Sequence, residues 1–328
     1  MKNYFKNKTI LITGGTGTFG RAFVAKLLKE KSIKKIIVLS RDEFKQSHMQ
    51  NELKQHNAKL RFFIGDVRDI DRLKRAFEGV DIVVHAAALK QVLTIEYNPF
   101  EAIKTNIFGS QNVVEAALDN DVSKVLLISS DKAVQPVSLY GATKLAAERL
   151  FVAANSYSGK KTVFGVARYG NVIGSRGSFI EIINKQKEKG EINLTDTKMT
   201  RFWISVDKVM EVIIDAIKKM EGGEIFVPKM KSLKVSDVIK HLAPNCKVKV
   251  IGVRPGEKIH ETLITEYEDV RTFDLENVYV IKSEFDFASR TNWLKNEALV
   301  KNNFDYSSNN PKFILPLKRA SEILGENN

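Results

Sequence analysis

The chain predicts an α/β fold: a doubly wound parallel sheet followed by a smaller mixed α/β lobe at the C-terminal side. Three observations carry this reading. A glycine-rich turn, Gly14-Gly15-Thr16-Gly17-Thr18-Phe19-Gly20, joins a β-rich apolar run to a helical pattern. Short apolar runs then alternate with helical patterns up to about residue 170, the rhythm of a parallel sheet whose strands are buried on both faces. Beyond that point the rhythm fails, and strands, loops and short helices mix.

Lys8-Thr9-Ile10-Leu11-Ile12-Thr13 is the first strand, and Phe23, Val24, Leu27 and Leu28 mark the apolar side of the helix after the turn. The glycines satisfy G-x-G-x-x-G at Gly15, Gly17 and Gly20, and also the spacing Gly14, Gly17, Gly20. Without Cβ atoms the backbone turns tightly and approaches a pyrophosphate resting on the helix N-terminus. A strand before and a helix after make this the dinucleotide fingerprint of a Rossmann sheet, with Gly14, Gly17, Thr18, Phe19 and Gly20 as cofactor contacts.

The second strand, Lys35–Leu39, ends at Ser40-Arg41, where an acid would hold a ribose 2′-hydroxyl. Serine and arginine suit a 2′-phosphate instead, which favours NADP; a surface Arg41 is the plain alternative, and Asp42 and Glu43 lie next door. The third strand, Leu60–Ile64, ends in Gly65-Asp66-Val67. Asp66 either accepts from an adenine amino group beside Val67 or caps the helix starting near Asp69. The fourth strand, Asp81–Val84, runs into His85-Ala86-Ala87-Ala88-Leu89-Lys90. The small Ala86 and Ala87 let the backbone pass close to the cofactor, His85 reads as a packed, hydrogen-bonded histidine, and Lys90 can reach cofactor or substrate. One helix is expected from about Asn98 to Asp119, with Asn106 tying the fourth and fifth strand ends together.

The fifth strand, Val125–Ile128, delivers Ser129, Ser130, Asp131 and Lys132 to the carboxyl edge of the sheet, where open α/β sheets bind ligands. A helix over Ser138–Phe151 carries Tyr140 and Lys144, four apart and therefore on one side. An ammonium beside the phenol is expected to lower the tyrosine pKa and make it a base near neutral pH. The sixth strand, Lys161–Ala167, ends in Arg168-Tyr169-Gly170-Asn171-Val172. A helix over Val209–Met220 and a strand over Gly223–Val227 read as returning to the main sheet. Residues 1–170, with 205–227 returning, thus form the dinucleotide-binding domain, and 171–328 a substrate-binding lobe. Within that lobe Ser175-Arg176-Gly177-Ser178, Thr195 to Arg201 and Arg254-Pro255-Gly256-Glu257-Lys258 gather anion-binding groups. Together they favour a nucleotide-linked substrate, since arginines offer planar donors to a diphosphate. Asn171, Arg176, Thr195, Met199, Arg201, Arg254 and Glu257, with Lys90, are the substrate candidates; Phe202 and Trp203 read as core.

Composition narrows the class. An apolar content of 43% and a charged content of 28% suit a globular protein, and one cysteine, Cys246, excludes an internal disulfide framework and a multi-cysteine metal site. No apolar run approaches the roughly 20 residues of a bilayer span, and no leader pattern is visible, so a cytoplasmic protein is expected. The net charge of +13 comes from lysines spread over helix faces without interleaved exposed aromatics, which reads as a solvated surface and not as a nucleic-acid site.

These residues resemble the extended short-chain dehydrogenases/reductases that act on nucleotide sugars, on T-G-G-T-G-T-F-G at Thr13–Gly20 and Y-G-A-T-K at Tyr140–Lys144. The likeness narrows to the inverting UDP-N-acetylglucosamine 4,6-dehydratases that begin pseudaminic-acid synthesis. His85–Val92, Glu96–Asn106, Ser130–Ala133, Arg168–Val172, Thr195–Trp203, Gly222–Lys229 and Arg254–Lys258 carry it, from about residue 8 to 265. Ser130 stands where threonine is usual and Leu93 where proline is common; Tyr140 stands where the retaining dehydratases have methionine. The resemblance implies NADP, UDP-N-acetylglucosamine as substrate, a homo-oligomer (dimer or hexamer) and a product used in flagellin glycosylation. It implies catalytic Ser130, Asp131, Lys132, Tyr140 and Lys144, with Lys132 the base for the C5 proton and Asp131 the acid for the departing C6 hydroxyl, or those two labels exchanged, since neighbouring groups titrate as a pair. A C5-retaining 4,6-dehydratase is one alternative; a sugar epimerase would use the same tyrosine and lysine without needing Lys132, and a non-catalytic dinucleotide sensor would not need the full set.

Overall fold

The computed structural model describes residues 4–159, 161–175, 177–285 and 291–325. Its first half alternates strands and helices: β1 (Thr9–Thr13), α1 (Thr18–Leu28), β2 (Lys35–Ser40), α2 (Glu43–Glu52), β3 (Leu60–Ile64) and α3 (Ile70–Phe77). Then follow β4 (Ile82–His85), α4 (Val92–Tyr97), α5 (Pro99–Ala102), α6 (Gly109–Asp119), β5 (Lys124–Ser130), α7 (Leu139–Ala154) and β6 (Val163–Tyr169). The strands run parallel in the order β3-β2-β1-β4-β5-β6, so the order reverses between β1 and β4 and opens a crevice at their carboxyl ends. Every residue of β1 is buried, as the continuous apolar run required.

The remaining elements are β7 (Asn171–Val172), α8 (Phe179–Lys187), β8 (Glu191–Leu194), β9 (Thr200–Ile204), α9 (Val206–Lys219) and β10 (Ile225–Pro228). After these come β11 (Lys231–Lys234), α10 (Val235–Leu242), β12 (Lys247–Val250), β13 (Thr262–Ile264), β14 (Thr272–Asp274), β15 (Val278–Ile281), β16 (Tyr306–Ser307) and α11 (Ser321–Leu324). As expected, the chain returns to the main sheet after the lobe begins: β10 pairs parallel with β6, with Ile225 opposite Val166. The main sheet then gains two strands that the sequence reading placed in the lobe. β15 pairs antiparallel with β10, and β14 with β15, which covers a sheet edge that would otherwise stop at β10. The lobe keeps a core of its own, in which Ile183, Ile192, Leu194, Trp203, Leu233, Val238 and Ile239 pack together. Trp203 and Phe202 are buried, as expected of core residues.

Two local departures bear on the crevice. The single helix expected over 98–119 is α5, a wide π turn at Ile103–Phe108, and α6. The wide turn sets the Asn106 side chain against its neighbours: Asn106 accepts from the Leu89 N–H (2.8 Å) and donates to the Leu89 carbonyl and the Thr143 hydroxyl (2.9 and 3.0 Å). It therefore ties the loop after β4 to α7, and not to the end of β5. Among the described residues no helix is long and apolar enough to cross a membrane, and no group of three or more His, Cys, Asp or Glu side chains is placed to hold a metal ion.

Candidate active site

A cleft of about 810 Å³ runs along the carboxyl ends of the strands and collects most of the predicted residues. Gly14, Gly17, Thr18, Phe19, Ser40, Arg41, Asp66, Val67, Ala86, Ala87 and Lys90 line one arm. Gly17 caps α1 with no side-chain hydrogen bond, and the first turn of this eleven-residue helix carries no acid, so the positive end of its dipole meets no competing charge. Gly14 has φ +66°, and a Cβ there would lie 2.9 Å from Ala87. Gly20 lies outside the cleft lining; a Cβ there would strike Gly15 at 2.4 Å, so its smallness lets the helix sit against the turn. These features fit a dinucleotide whose pyrophosphate rests on α1.

Arg41 faces the cleft half-exposed, 3.4 Å from the Asp66 carboxylate. Asp66 accepts from the Arg68 N–H (3.0 Å) and the Arg68 guanidinium (2.8 Å), and despite partial burial these partners hold its carboxyl below the usual range. The cap of α3 is Asp69, which accepts from the Arg72 N–H, so Asp66 is free of that duty. His85 is buried as expected, hydrogen-bonded to Thr13 (2.7 Å) and Ser110 (3.1 Å) and stacked on Phe151. Burial, with the nearby Lys144 ammonium, pushes it down to about 3, so it is neutral.

The reactive arm is built by β5, the short 3₁₀ turn Asp131–Ala133 and α7. Ser138 caps α7 by accepting from the Gly141 N–H (3.2 Å), which starts the helix at Leu139, one residue before Tyr140. Ser130, Lys132, Tyr140 and Lys144 line the cleft, with Asp131 fully buried behind them. The Ser130 hydroxyl donates to Asp131 Oδ1 at 2.8 Å, and Lys132 Nζ donates to the same oxygen at 3.0 Å. Asp131 is therefore an ionised acceptor: burial opposes its charge, but Lys132 and Ser130 outweigh burial and hold its carboxyl low. Burial likewise opposes the Lys132 charge, yet Asp131 and Glu261 raise its ammonium above the ordinary lysine value.

The lysine expected to lower the tyrosine pKa does something else. Lys144 Nζ donates to the Ile128 carbonyl at 2.6 Å, at the end of β5. Burial pushes Lys144 down to about 8, with Glu148 opposing. The Tyr140 phenol is raised by burial; Lys132 and a hydrogen bond with Ser130 act the other way, and Asp131 adds to the rise. The charge that favours phenolate here is that of Lys132, because a strand-end carbonyl captures Lys144.

The lobe candidates scatter. Asn171 lines the cleft beside Gly170 and Val172, while Arg176 lies outside the described residues. Thr195, Met199, Arg201, Arg254 and Glu257 lie outside the cleft lining. Thr195 donates to Glu257 (3.1 Å), which also pairs with Arg254; those partners lower the Glu257 carboxyl against its burial. Met199 is packed in the lobe core. Arg201 is buried and donates to the carbonyls of Thr200 (2.7 Å), Ile259 (3.0 Å) and Lys258 (2.7 Å). Two polar residues of the site, Thr105 and Glu261, escaped the sequence reading, while Ser129 stands at the sheet edge as expected. Thr105 and Ser129 line the cleft with buried hydroxyls that lack a protein partner. Glu261 comes within 3.8 Å of Lys132. Nothing local in the sequence ties Glu261 to residue 132.

A 3-2-1-4-5-6 parallel sheet, a glycine turn at the first helix and a Tyr-x-x-x-Lys helix beside the cleft define an extended short-chain dehydrogenase/reductase. The chain belongs to the family described as polysaccharide biosynthesis protein, which it matches over residues 10–283. An inverting UDP-N-acetylglucosamine 4,6-dehydratase of Campylobacter jejuni is 48% identical over 330 residues, 98% of each chain. A UDP-glucose 4-epimerase of Rickettsia bellii is 41% identical over 330 residues, 98% of this chain and 96% of its own. The X-ray structure of Pen from Bacillus thuringiensis superposes with a TM-score of 0.85 at 40% identity, covering 94% of this chain and 95% of that one.

Proposed function

We propose that this chain is an NADP-dependent UDP-N-acetylglucosamine 4,6-dehydratase, a lyase that inverts C5. The observation that carries the reading is the convergence of Ser130, Asp131, Lys132 and Tyr140 on one arm of a dinucleotide cleft. The near full-length identity to the Campylobacter jejuni dehydratase supports it. Arg41, facing the cleft with its guanidinium half-exposed, supports the 2′-phosphate and hence NADP over NAD. Held by Gly14, Gly17 and Arg41, bound NADP would supply the hydride acceptor for sugar C4 and the hydride donor for C6, with no net oxidation.

The side chains move the protons. Tyr140 takes the proton of the sugar 4-hydroxyl; burial raises its phenol, and Lys132 and Ser130 act against that rise. The 4-ketone acidifies C5–H, the C5 proton is removed and the C6 hydroxyl leaves as water once protonated. The resemblance makes Lys132 the base and Asp131 the acid. In the resting site Lys132 is the ammonium and Asp131 the carboxylate, and their 3.0 Å hydrogen bond is the path along which a proton crosses to exchange those states. A proton returns to C5 from the opposite face, giving the UDP-4-keto-6-deoxy-L-arabino-hexulose. Lys90 and Asn171 meet the nucleotide sugar in the cleft. Thr195, Arg201, Arg254 and Glu257 are proposed on the family likeness to meet its diphosphate from outside the cleft lining, and Met199 packs in the lobe core. Use of the product in pseudaminic-acid synthesis, and a homo-oligomeric assembly, rest on the same family likeness.

The second reading is an epimerase, favoured by the 41% identity to a relative of that name. A proton NMR time course with UDP-N-acetylglucosamine in deuterated water separates the two. A new C6 methyl signal with deuterium at C5 is the expected result, and the ring couplings report inversion. Interconversion at C4 alone, or an unchanged spectrum with dinucleotide bound, defeats the dehydratase reading.

A further inference from the structure

We propose that Glu261 is a positioning residue for the elimination, holding the Lys132 ammonium against Asp131 and setting the charge of that pair. This rests on the dehydratase reading above. Glu261 directly precedes β13, is 2% exposed and does not line the cleft, so it acts through another residue. Three cations from three segments surround its carboxylate. Oε1 is 3.8 Å from Lys132 Nζ and 3.6 Å from Arg201 Nε, and Oε2 is 3.5 Å from Lys258 Nζ. Arg201 and Lys258 have other acceptors: three carbonyls for Arg201, and the Val134 carbonyl at 2.6 Å for Lys258. The Glu261 backbone is pinned as well, its N–H donating at 2.8 Å to Ser308, whose hydroxyl is bonded to Thr200.

Lys132 is thus flanked by Asp131 on its own turn and Glu261 from the lobe, with Tyr140 on α7 and Arg201 on β9 also facing it. Neutralising Glu261 leaves Asp131 as the one carboxylate of the cluster against Lys132, Arg201 and Lys258. Mutual repulsion then favours neutral Lys132. Burial of a carboxylate among three cations also suits a purely structural clamp between β9 and β13. The two roles differ in one observable, the pH at which Lys132 titrates.

The test is competitive acylation of the holoenzyme across pH, with Lys132 modification read by peptide mass spectrometry, in wild type, Glu261→Gln, Glu261→Asp and Lys258→Met. Each variant is also assayed for the pH profile of C6-methyl formation. Neutralising Glu261 is expected to lower the Lys132 pKa by about one unit, which is ~10-fold more labelling at a fixed alkaline pH. The alkaline limb of the rate profile should move the same way. Glu261→Asp should restore wild-type labelling, and Lys258→Met, which removes a competing cation, should reduce it. Unshifted labelling in folded Glu261→Gln overturns the proposal. If that variant does not fold, unchanged labelling in Lys258→Met overturns it equally. A wild-type chain that labels as expected but makes no methyl product defeats the dehydratase reading and not the Glu261–Lys132 coupling.

Discussion

Replacing Gly141 by alanine sets local and tertiary physics against each other. Gly141 lies in the first turn of α7, with an ordinary helical backbone, and alanine is favoured over glycine in a helix by about 0.5–1 kcal/mol. A Cβ at this position, however, would lie 2.2 Å from the Lys132 carbonyl oxygen and 2.9 Å from the Pro136 side chain. The carbonyl belongs to the 3₁₀ turn Asp131–Ala133, so no side chain can swing aside. Reaching the 3.4 Å of ordinary contact from 2.2 Å requires about 1.2 Å of separation between the turn and the helix. Overpacking of this kind costs about 1–3 kcal/mol, so the net effect is a loss of roughly 1–2 kcal/mol despite the better helix former. The same shift moves Asp131 and Lys132 away from Tyr140, and a 1 Å misplacement costs on the order of 10²-fold in rate. Urea midpoints followed by circular dichroism, with initial rates of C6-methyl formation, measure both effects. A Gly141→Ala chain of equal or greater stability with an undiminished rate would refute the reasoning.

Arg168 is buried between Glu148 on α7 and Glu268, at 2.7 and 3.0 Å. Arg168→Met should destabilise the chain by about 3–5 kcal/mol, because two carboxylates lose their cation, and adding Glu148→Gln and Glu268→Gln should recover much of that loss in the urea midpoint. His85 has its pKa depressed to about 3 by burial, so the unfolded chain takes up that proton first. Stability is complete above about 6.5, the ordinary histidine value, and is lost as pH falls towards 3, by on the order of 5 kcal/mol from this group. Denaturation profiles of wild type and His85→Gln over that range should differ in slope, and parallel profiles would count against the assignment.

The parts of the fold that rest on near neighbours were legible without coordinates. Strand, glycine turn and helix at 9–28 are contiguous, and Tyr140 and Lys144 share a helix face through a spacing of four. Ser130, Asp131 and Lys132 reach the sheet edge because the apolar run before them is a buried strand. Every element placed from 1 to 170 follows from such local periodicity, apart from the π turn, which answers to Leu89 and Thr143 through Asn106. What the tertiary structure alone decided are the pairings between groups distant in the chain. Lys144 is drawn to the Ile128 carbonyl and not to the phenol, Glu261 joins Lys132, and β14 and β15 complete the main sheet. A side chain's spacing defines the direction in which it points, but the acceptor or charge it meets there depends on which other segment is folded against it.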